Sequence, residues 1–202
     1  AVVVTGFEID QVGGLLNLRE GQRFQLYATG FVHAALRGNE IFNVLASPMV
    51  ARREIILGEP FLAHAGASFD VTAWPVPGKV PLPHADRSED VPNPDGTIAL
   101  IMRNAATGSR AAYVPCCGVI SDAVLEIIDG VDVLLFDGTL YDDRELVDKG
   151  LSQKTGSMMG HVSMSGAHGS LARLCEVSIG RRIFIHLNNS NQVLREDSRE
   201  RG

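Results

Sequence analysis

The chain has 202 residues, of which 45% are hydrophobic, and this is enough apolar material for a globular core. Its 18 basic and 24 acidic side chains give a net charge of −6 without a basic stripe, which argues against binding to nucleic acid or to an anionic membrane. The longest uncharged stretch, residues 155–172, is rich in Gly and Ser and contains two His, so it is too polar for a membrane-spanning helix.

In chain order, short runs of β-branched and apolar residues alternate with helical patterns. This alternation predicts an α/β fold with a largely parallel sheet. Most of the predicted strands are apolar almost throughout, as expected where helices cover both faces of a sheet. The predicted strands are residues 1–5, 25–28, 69–73, 97–102, 110–114, 131–136 and 182–187. The predicted helices are residues 14–19, 30–36, 121–128 and 169–175.

The first residues and the cysteines bear on the extent of the chain and on its cellular compartment. The sequence begins inside an apolar run without an initiator Met, so we expect further residues upstream. Its three cysteines are odd in number, and two of them are adjacent, so they do not form a disulfide framework. A reducing compartment, the cytoplasm, is the expected location.

Polar residues cluster just after several predicted strands, where ligands bind in α/β folds. These residues are Asp10, Gln11, Asp137, His186, Asn188 and Asn189. Carboxylate, imidazole and carboxamide groups at one sheet edge suit a divalent metal ion. Each residue also has a structural interpretation, since Asp and Asn after a strand are common turn formers and His186 lies between two apolar residues.

Two further features stand out between these strands. His161 lies in a Gly- and Ser-rich segment, where glycine allows a ligand to approach the backbone closely. The doublet of Cys116 and Cys117 could supply a nucleophile, a metal ligand or a redox pair, but no Cys-x-x-Cys spacing is present. His33, on a short amphipathic helix, is expected at the surface.

Four segments together resemble the PqqB family of pyrroloquinoline quinone (PQQ) biosynthesis proteins. They are residues 136–143 (FDGTLYDD), 154–161 (KTGSMMGH), 165–172 (SGAHGSLA) and 181–191 (RRIFIHLNNSN). The resemblance extends over essentially the whole chain. It implies an α/β fold of the metallo-β-lactamase type, a four-layer αβ/βα sandwich. Residues 1–202 would then form a single partial domain, incomplete at its N- and C-termini.

The resemblance also implies a metal site. The wider superfamily carries a His-x-His-x-Asp-His motif, and residues 6–11 (GFEIDQ) occupy its place. The implied ligands are Asp10, His186 and Gln11, where Gln11 replaces the family's histidine with an amide oxygen, a poorer donor to iron. Iron(II) or zinc is the implied metal.

Other residues receive roles from the same resemblance. His161 and Asp137 are implied as a catalytic acid–base pair, in which the carboxylate orients the imidazole. Cys117 falls where superfamily members hold a bridging aspartate, and the family normally has Gly at the position of Cys116. We expect Asn188, Asn189 and Cys117 to contact the substrate.

The resemblance implies a role in PQQ biosynthesis, with iron-dependent hydroxylation of a tyrosine-derived precursor as the expected reaction. A first alternative is a carrier that moves PQQ or its precursor towards the periplasm. A second alternative is a metal-dependent hydrolase. The expected partners are the peptide-derived precursor, PQQ itself as a product-type ligand, other proteins of the pathway and a second copy of the chain in a homodimer. Nucleic acid and membrane are not expected partners.

Overall fold

The computed structural model describes residues 1–19, 23–45, 48–78 and 95–201. Contacts divide the chain into two compact units. The first unit comprises Ala1–Pro75 with Val80–Gly108, and the second comprises Val76–Lys79 with Ser109–Gly202. That the whole chain acts as one domain stays a prediction.

The first unit contains a parallel sheet and an antiparallel sheet segment. Its elements are β1 (Val2–Val3), α1 (Ile9–Val12), β2 (Phe24–Ala28), α2 (Gly30–Arg37), β3 (Val50–Glu54), β4 (Pro60–Phe61), β5 (Phe69–Pro75) and β6 (Ile98–Asn104). Strands β1, β2 and β3 pair in parallel in that order, whereas β4, β5 and β6 pair antiparallel. The described residues of this unit also include two 3-10 helices, Gly13–Arg19 and Glu40–Leu45.

Local sequence explains how α2 begins and which face it buries. The hydroxyl of Thr29 accepts a hydrogen bond from the backbone N–H of Val32 at 3.3 Å, which caps the helix. Val32 and Leu36, four residues apart, are both buried, as expected for the apolar face of an amphipathic helix. Strand residue Leu26 is part of the same hydrophobic cluster.

His33 lies in the core of this unit, so the expectation of a surface position is wrong. The residue is only 4% exposed, because its place on α2 shares the buried face of the helix. Its Nε2 lies 2.9 Å from the carbonyl oxygen of Arg53, and this contact assigns the ring proton to Nε2. Nδ1 is buried without a hydrogen-bond partner among the described residues.

We expect the unfolding free energy to decrease as the pH falls below 6.5, in part because of His33. Burial lowers the pKa of His33, and the positive charge of Arg52 lowers it further. The hydrogen bond to the backbone of Arg53 acts in the opposite direction but does not cancel this shift. The unfolded chain therefore takes up a proton at a pH where folded His33 remains neutral. In urea denaturation between pH 7.5 and 5.5, the unfolding free energy of His33→Gln should decrease less with falling pH than that of the wild type. The exposed His64→Gln serves as the control and should retain the wild-type slope.

The second unit contains three parallel strands. Its elements are β7 (Arg110–Val114), α3 (Asp122–Ile128), β8 (Val131–Asp137), α4 (Glu145–Asp148), α5 (Ser170–Arg173) and β9 (Ile179–Ile185). Strand β8 pairs in parallel with β7 on one side and with β9 on the other. Ser121 caps α3 by accepting a hydrogen bond from Val124 N at 3.4 Å.

The register of this sheet places several chain segments at one edge. Val114 pairs with Phe136, and Asp137 pairs with Ile185, so the three strands end nearly level with one another. The residues that follow β7, β8 and β9 therefore lie at the carboxyl edge of the sheet, where α/β folds bind ligands. Within the described parts of the chain, no helix combines the length and the apolar character needed to cross a membrane.

Candidate functional site

Asp137 is the centre of a polar network at the carboxyl edge of the second unit's sheet. Its side chain is fully buried at the end of β8. Oδ2 accepts hydrogen bonds from the backbone N–H of Cys117 at 3.0 Å and from His161 Nδ1 at 2.7 Å. Oδ1 accepts from the backbone N–H of Thr139 at 3.0 Å and from its hydroxyl at 2.6 Å. Four donors thus surround one carboxylate.

This environment keeps Asp137 ionised. Burial by itself would raise the pKa of the carboxyl group, but interactions with His161, His186 and Thr139 outweigh it and lower the pKa to about 2. A carboxylate without its proton can only accept hydrogen bonds. The four groups that contact its oxygens therefore all donate a hydrogen to Asp137.

The network assigns the protonated nitrogen of two imidazole rings. The single hydrogen of the Thr139 hydroxyl goes to Asp137, so Thr139 Oγ1 accepts from His186 Nδ1 at 2.9 Å. His161 Nδ1 donates to Asp137 in turn. Both rings carry their proton on Nδ1, and in the neutral form Nε2 bears the lone pair. The ring centroids are 5.3 Å apart.

The backbone at His186 has an unusual conformation. Its φ is +56°, the only positive value of a non-glycine residue in the described part of the chain. Such a conformation costs about 1–3 kcal/mol, and strained residues of this kind cluster at functional sites. It immediately follows β9, where Gly138 N donates to the carbonyl oxygen of Ile185 at 2.8 Å.

The predicted substrate-contact asparagines lie on the loop after His186. Asn188 is half-buried, and its backbone N–H donates to the carbonyl oxygen of Thr139 at 3.1 Å, whereas Asn189 is exposed. Asn191, which is 2% exposed, holds the loop in place because its Nδ2 donates to the carbonyl oxygen of Gly138 at 2.7 Å. The loop is therefore tied to the segment that carries Asp137 and Thr139.

Cys117 enters the network through its backbone and not through its thiol. The side chain is fully buried, with Sγ 3.2 Å from the carbonyl oxygen of Val119. Burial, together with the nearby negative charge of Asp137, raises the pKa of the Cys117 thiol to about 12. The thiol is thus protonated at neutral pH, and its contact with a substrate stays a prediction.

The two other predicted metal ligands belong to the first unit. Asp10 is exposed on the single turn of α1. Gln11, on the same turn, is half-buried, and its Oε1 accepts a hydrogen bond from the backbone N–H of Glu8 at 3.2 Å. Part of the acceptor capacity of Gln11 is therefore already in use.

A pocket of about 500 Å³ opens beside the network, within the second unit. His161 lines it together with small residues that include Gly118, Ser163, Ser165 and Gly169. Its charged groups include Asp143 and Arg173. The pocket gives a ligand room to approach the imidazole of His161.

The sequence patterns predict Asp137, His161 and His186 as site residues, but they assign no role to Thr139. The only signal was its place in the Asp-Gly-Thr turn after a predicted strand. The Thr139 hydroxyl contacts His161 and His186, which lie 22 and 47 residues further along the chain. Sequence spacing alone therefore does not reveal this role.

Known proteins resemble this chain over its whole length. The beta-lactamase superfamily domain, as a protein family, matches residues 1–187 of this chain. Coenzyme PQQ synthesis protein B of Methylorubrum extorquens is 45% identical over 201 residues, which cover 100% of this chain and 66% of that protein. The protein of the same name from Rhodopseudomonas palustris is 40% identical over 211 residues, with 100% and 67% covered.

Solved structures agree with these matches. The crystal structure of Zn²⁺-bound PqqB from Methylobacterium extorquens superposes with a TM-score of 0.92 at 42% identity, covering 99% of this chain and 66% of that chain. The metallo-β-lactamase fold protein YhfI of Bacillus subtilis has a TM-score of 0.62 at 12% identity, covering 93% of this chain and 65% of that chain, and shows the shared fold alone.

The chain therefore has the metallo-β-lactamase fold, as its sequence motifs predicted. Within that superfamily it belongs to the coenzyme PQQ synthesis protein B family, PqqB. It spans about two thirds of the length of the relatives it matches.

Proposed function

We propose that the chain acts in the biosynthesis of PQQ, as the metal-dependent part of an enzyme that hydroxylates a tyrosine-derived precursor. Its identity to coenzyme PQQ synthesis protein B over the whole chain supports the pathway. The observation that supports the chemistry is the hydrogen bond of 2.7 Å between Asp137 and His161, beside a second anchored imidazole, His186. This arrangement is suited to proton transfer next to a metal ion.

Iron(II) is the proposed metal, with Asp10, His186 and Gln11 as its ligands. A metal-binding histidine usually donates its other ring N–H to a neighbouring acceptor, which orients the ring. His186 meets this requirement, since its Nδ1 is held by Thr139 and Nε2 bears the lone pair. Gln11 is the weakest donor of the three because it offers a neutral amide oxygen, which also accepts a hydrogen bond from Glu8 N. When bound, iron(II) would supply the redox chemistry that activates oxygen.

His161 is the proposed acid–base group. Ionised Asp137 holds its Nδ1–H, so Nε2 is the atom that takes up a proton. The nearby carboxylate also stabilises the positive charge that the ring then carries. Because His161 lines the pocket, a phenolic substrate bound there could transfer its hydroxyl proton to Nε2.

Asn188 and Asn189 are the proposed substrate contacts. They follow His186 on a loop that is hydrogen-bonded to Thr139. A change in the loop would therefore also shift the groups that contact Asp137. Their carboxamide groups can both donate to and accept from a peptide-like precursor. Cys117 supports the site in this proposal by donating its backbone N–H to Asp137.

Anaerobic titration with iron(II) tests the proposed ligands. The double variant Asp10→Ala, His186→Ala should bind iron(II) at least tenfold more weakly than the wild type, about 1.4 kcal/mol. Equal affinity would show that these side chains do not hold the metal. Addition of oxygen, a glutamate–tyrosine precursor and an external two-electron reductant such as ascorbate should then yield a product that contains one added oxygen atom, with the second oxygen atom reduced to water. Tight metal-independent binding of PQQ, without turnover, would instead favour a carrier.

A further inference from the structure

A thiol, a carboxylate and an imidazole converge in the second unit. They belong to Cys116, Asp137 and His161, and one donor atom from each lies within 4.8 Å of the other two. Cys116 is 4% exposed and Asp137 is fully buried, whereas the His161 side chain remains 13% exposed. We propose that these three residues form a zinc-binding site distinct from the proposed Asp10 and His186 ligands.

The donor set matches the chemistry of zinc. Thiolate sulfur, imidazole nitrogen and carboxylate oxygen are its usual protein ligands, at about 2.0–2.3 Å from the ion. Ligand atoms around tetrahedral zinc are about 3.3–3.7 Å apart on this basis, so small side-chain movements would close the site. The thiolate selects zinc over harder ions such as Mg²⁺.

Charge balance also favours a dication here. The thiolate of Cys116 and the carboxylate of Asp137 together carry two negative charges, which a Zn²⁺ ion neutralises. Buried charges are tolerated when they are paired in this way or coordinate a metal. Binding releases the thiol proton, and His161 keeps one N–H on the ring nitrogen that does not bind the ion.

Neighbouring groups hold the ligands in place without the ion. Three hydrogen bonds to Asp137, from Cys117 N and from the N–H and hydroxyl of Thr139, remain when His161 exchanges its bond to Asp137 for the metal. The thiol of Cys116 lies 3.6 Å from the carbonyl oxygen of Gly160, the residue directly before His161. The turn that presents His161 is therefore already in contact with the thiol.

The pocket beside His161 provides a path for the ion. His161 and Gly118 both line this space of about 500 Å³, which can hold a water molecule as a fourth ligand. Zinc at this position would replace the hydrogen bond between Asp137 and His161. If the proposed function is correct, zinc binding at this site would therefore inhibit it. The site itself does not depend on that function.

Spectroscopic titration with Co²⁺, a substitute for zinc, tests the site directly. The wild type should develop a near-ultraviolet charge-transfer band from a cobalt–thiolate bond, and Cys116→Ser should lack it. Zinc competition against a chromophoric chelator should show at least tenfold weaker binding for Cys116→Ser, about 1.4 kcal/mol. Cys175→Ser, which changes an exposed cysteine, is the matched control and should keep the band.

Two more variants keep the result interpretable. His161→Gln removes a partly exposed ligand and should weaken zinc binding even if replacement of buried Cys116 disturbs folding. Asp10→Ala should retain the band, which separates this site from the proposed iron ligands. The proposal is wrong if the wild type shows no thiolate band, if the band survives in Cys116→Ser or if it disappears in Asp10→Ala. None of these readouts requires iron, oxygen or turnover.

Discussion

Replacement of Asp137 by asparagine is expected to lower the unfolding free energy by about 2 kcal/mol at neutral pH, because the pKa of the wild-type carboxyl group falls from 3.8 to about 2 on folding. Asparagine has one acceptor oxygen and one NH₂ donor. Its NH₂ group would face two donors, either Cys117 N and His161 Nδ1 or the two donors of Thr139. No rotation of the amide satisfies all four.

The pH dependence of this difference identifies its cause. The stabilisation by ionised Asp137 is fully present above pH 3.8 and is lost as the pH falls towards 2, since the wild-type carboxylate then takes up a proton. Chemical denaturation of the two proteins should therefore give free energies that converge over this range. A difference that persists at pH 2 would point to a packing defect.

In the proposed hydroxylation, turnover should be affected more strongly than stability. Asparagine carries no negative charge to stabilise the protonated His161 ring, so turnover in the proposed reaction should fall by about 10²–10⁴-fold, the usual contribution of a general acid–base group. Asp148→Asn is a suitable control because Asp148 is exposed and its carboxylate pairs with Arg144 at the surface. That variant should change stability by less than about 0.5 kcal/mol and leave turnover unchanged.

Substitution of Gln11 by histidine is expected to raise iron(II) affinity at least tenfold, about 1.4 kcal/mol. An imidazole nitrogen is a better ligand for iron(II) than an amide oxygen, and the oxygen of Gln11 is partly committed to Glu8 N. Anaerobic titration with iron(II) measures the change. Unchanged affinity would show that position 11 lies outside the coordination sphere.

A second substitution at the same position provides the control. Gln11→His and Gln11→Ala both remove the hydrogen bond from Glu8 N at the start of α1, so each should lower the unfolding free energy by about 1 kcal/mol, as is typical of a lost helix cap. Gln11→Ala is the control. It adds no ligand and should bind iron(II) no more tightly than the wild type. Comparison of the two variants separates helix stability from metal coordination.

Several strands were predictable because their residues are apolar over their whole length. The bounds of β7 agree with the prediction of 110–114, and β8 extends the prediction of 131–136 by one residue, to Asp137. Strand β3, Val50–Glu54, was not predicted because three of its five residues are charged. Only Val50 is buried there, and the strand exists because its backbone pairs in parallel with β2.

The amino-acid pattern by itself determined the α/β class, the family motifs and the polar residues that follow β8 and β9, because local hydrophobicity reports burial and strands end where it stops. Only the tertiary structure decided which of these residues meet. The protonated nitrogens of His161 and His186 are set by the single hydrogen of the Thr139 hydroxyl and by Asp137, and Cys116 approaches His161 across 45 positions of sequence. The physical reason is that hydrogen bonds and metal ligands act over about 3 Å, a distance that parallel strand register establishes between segments far apart in the chain.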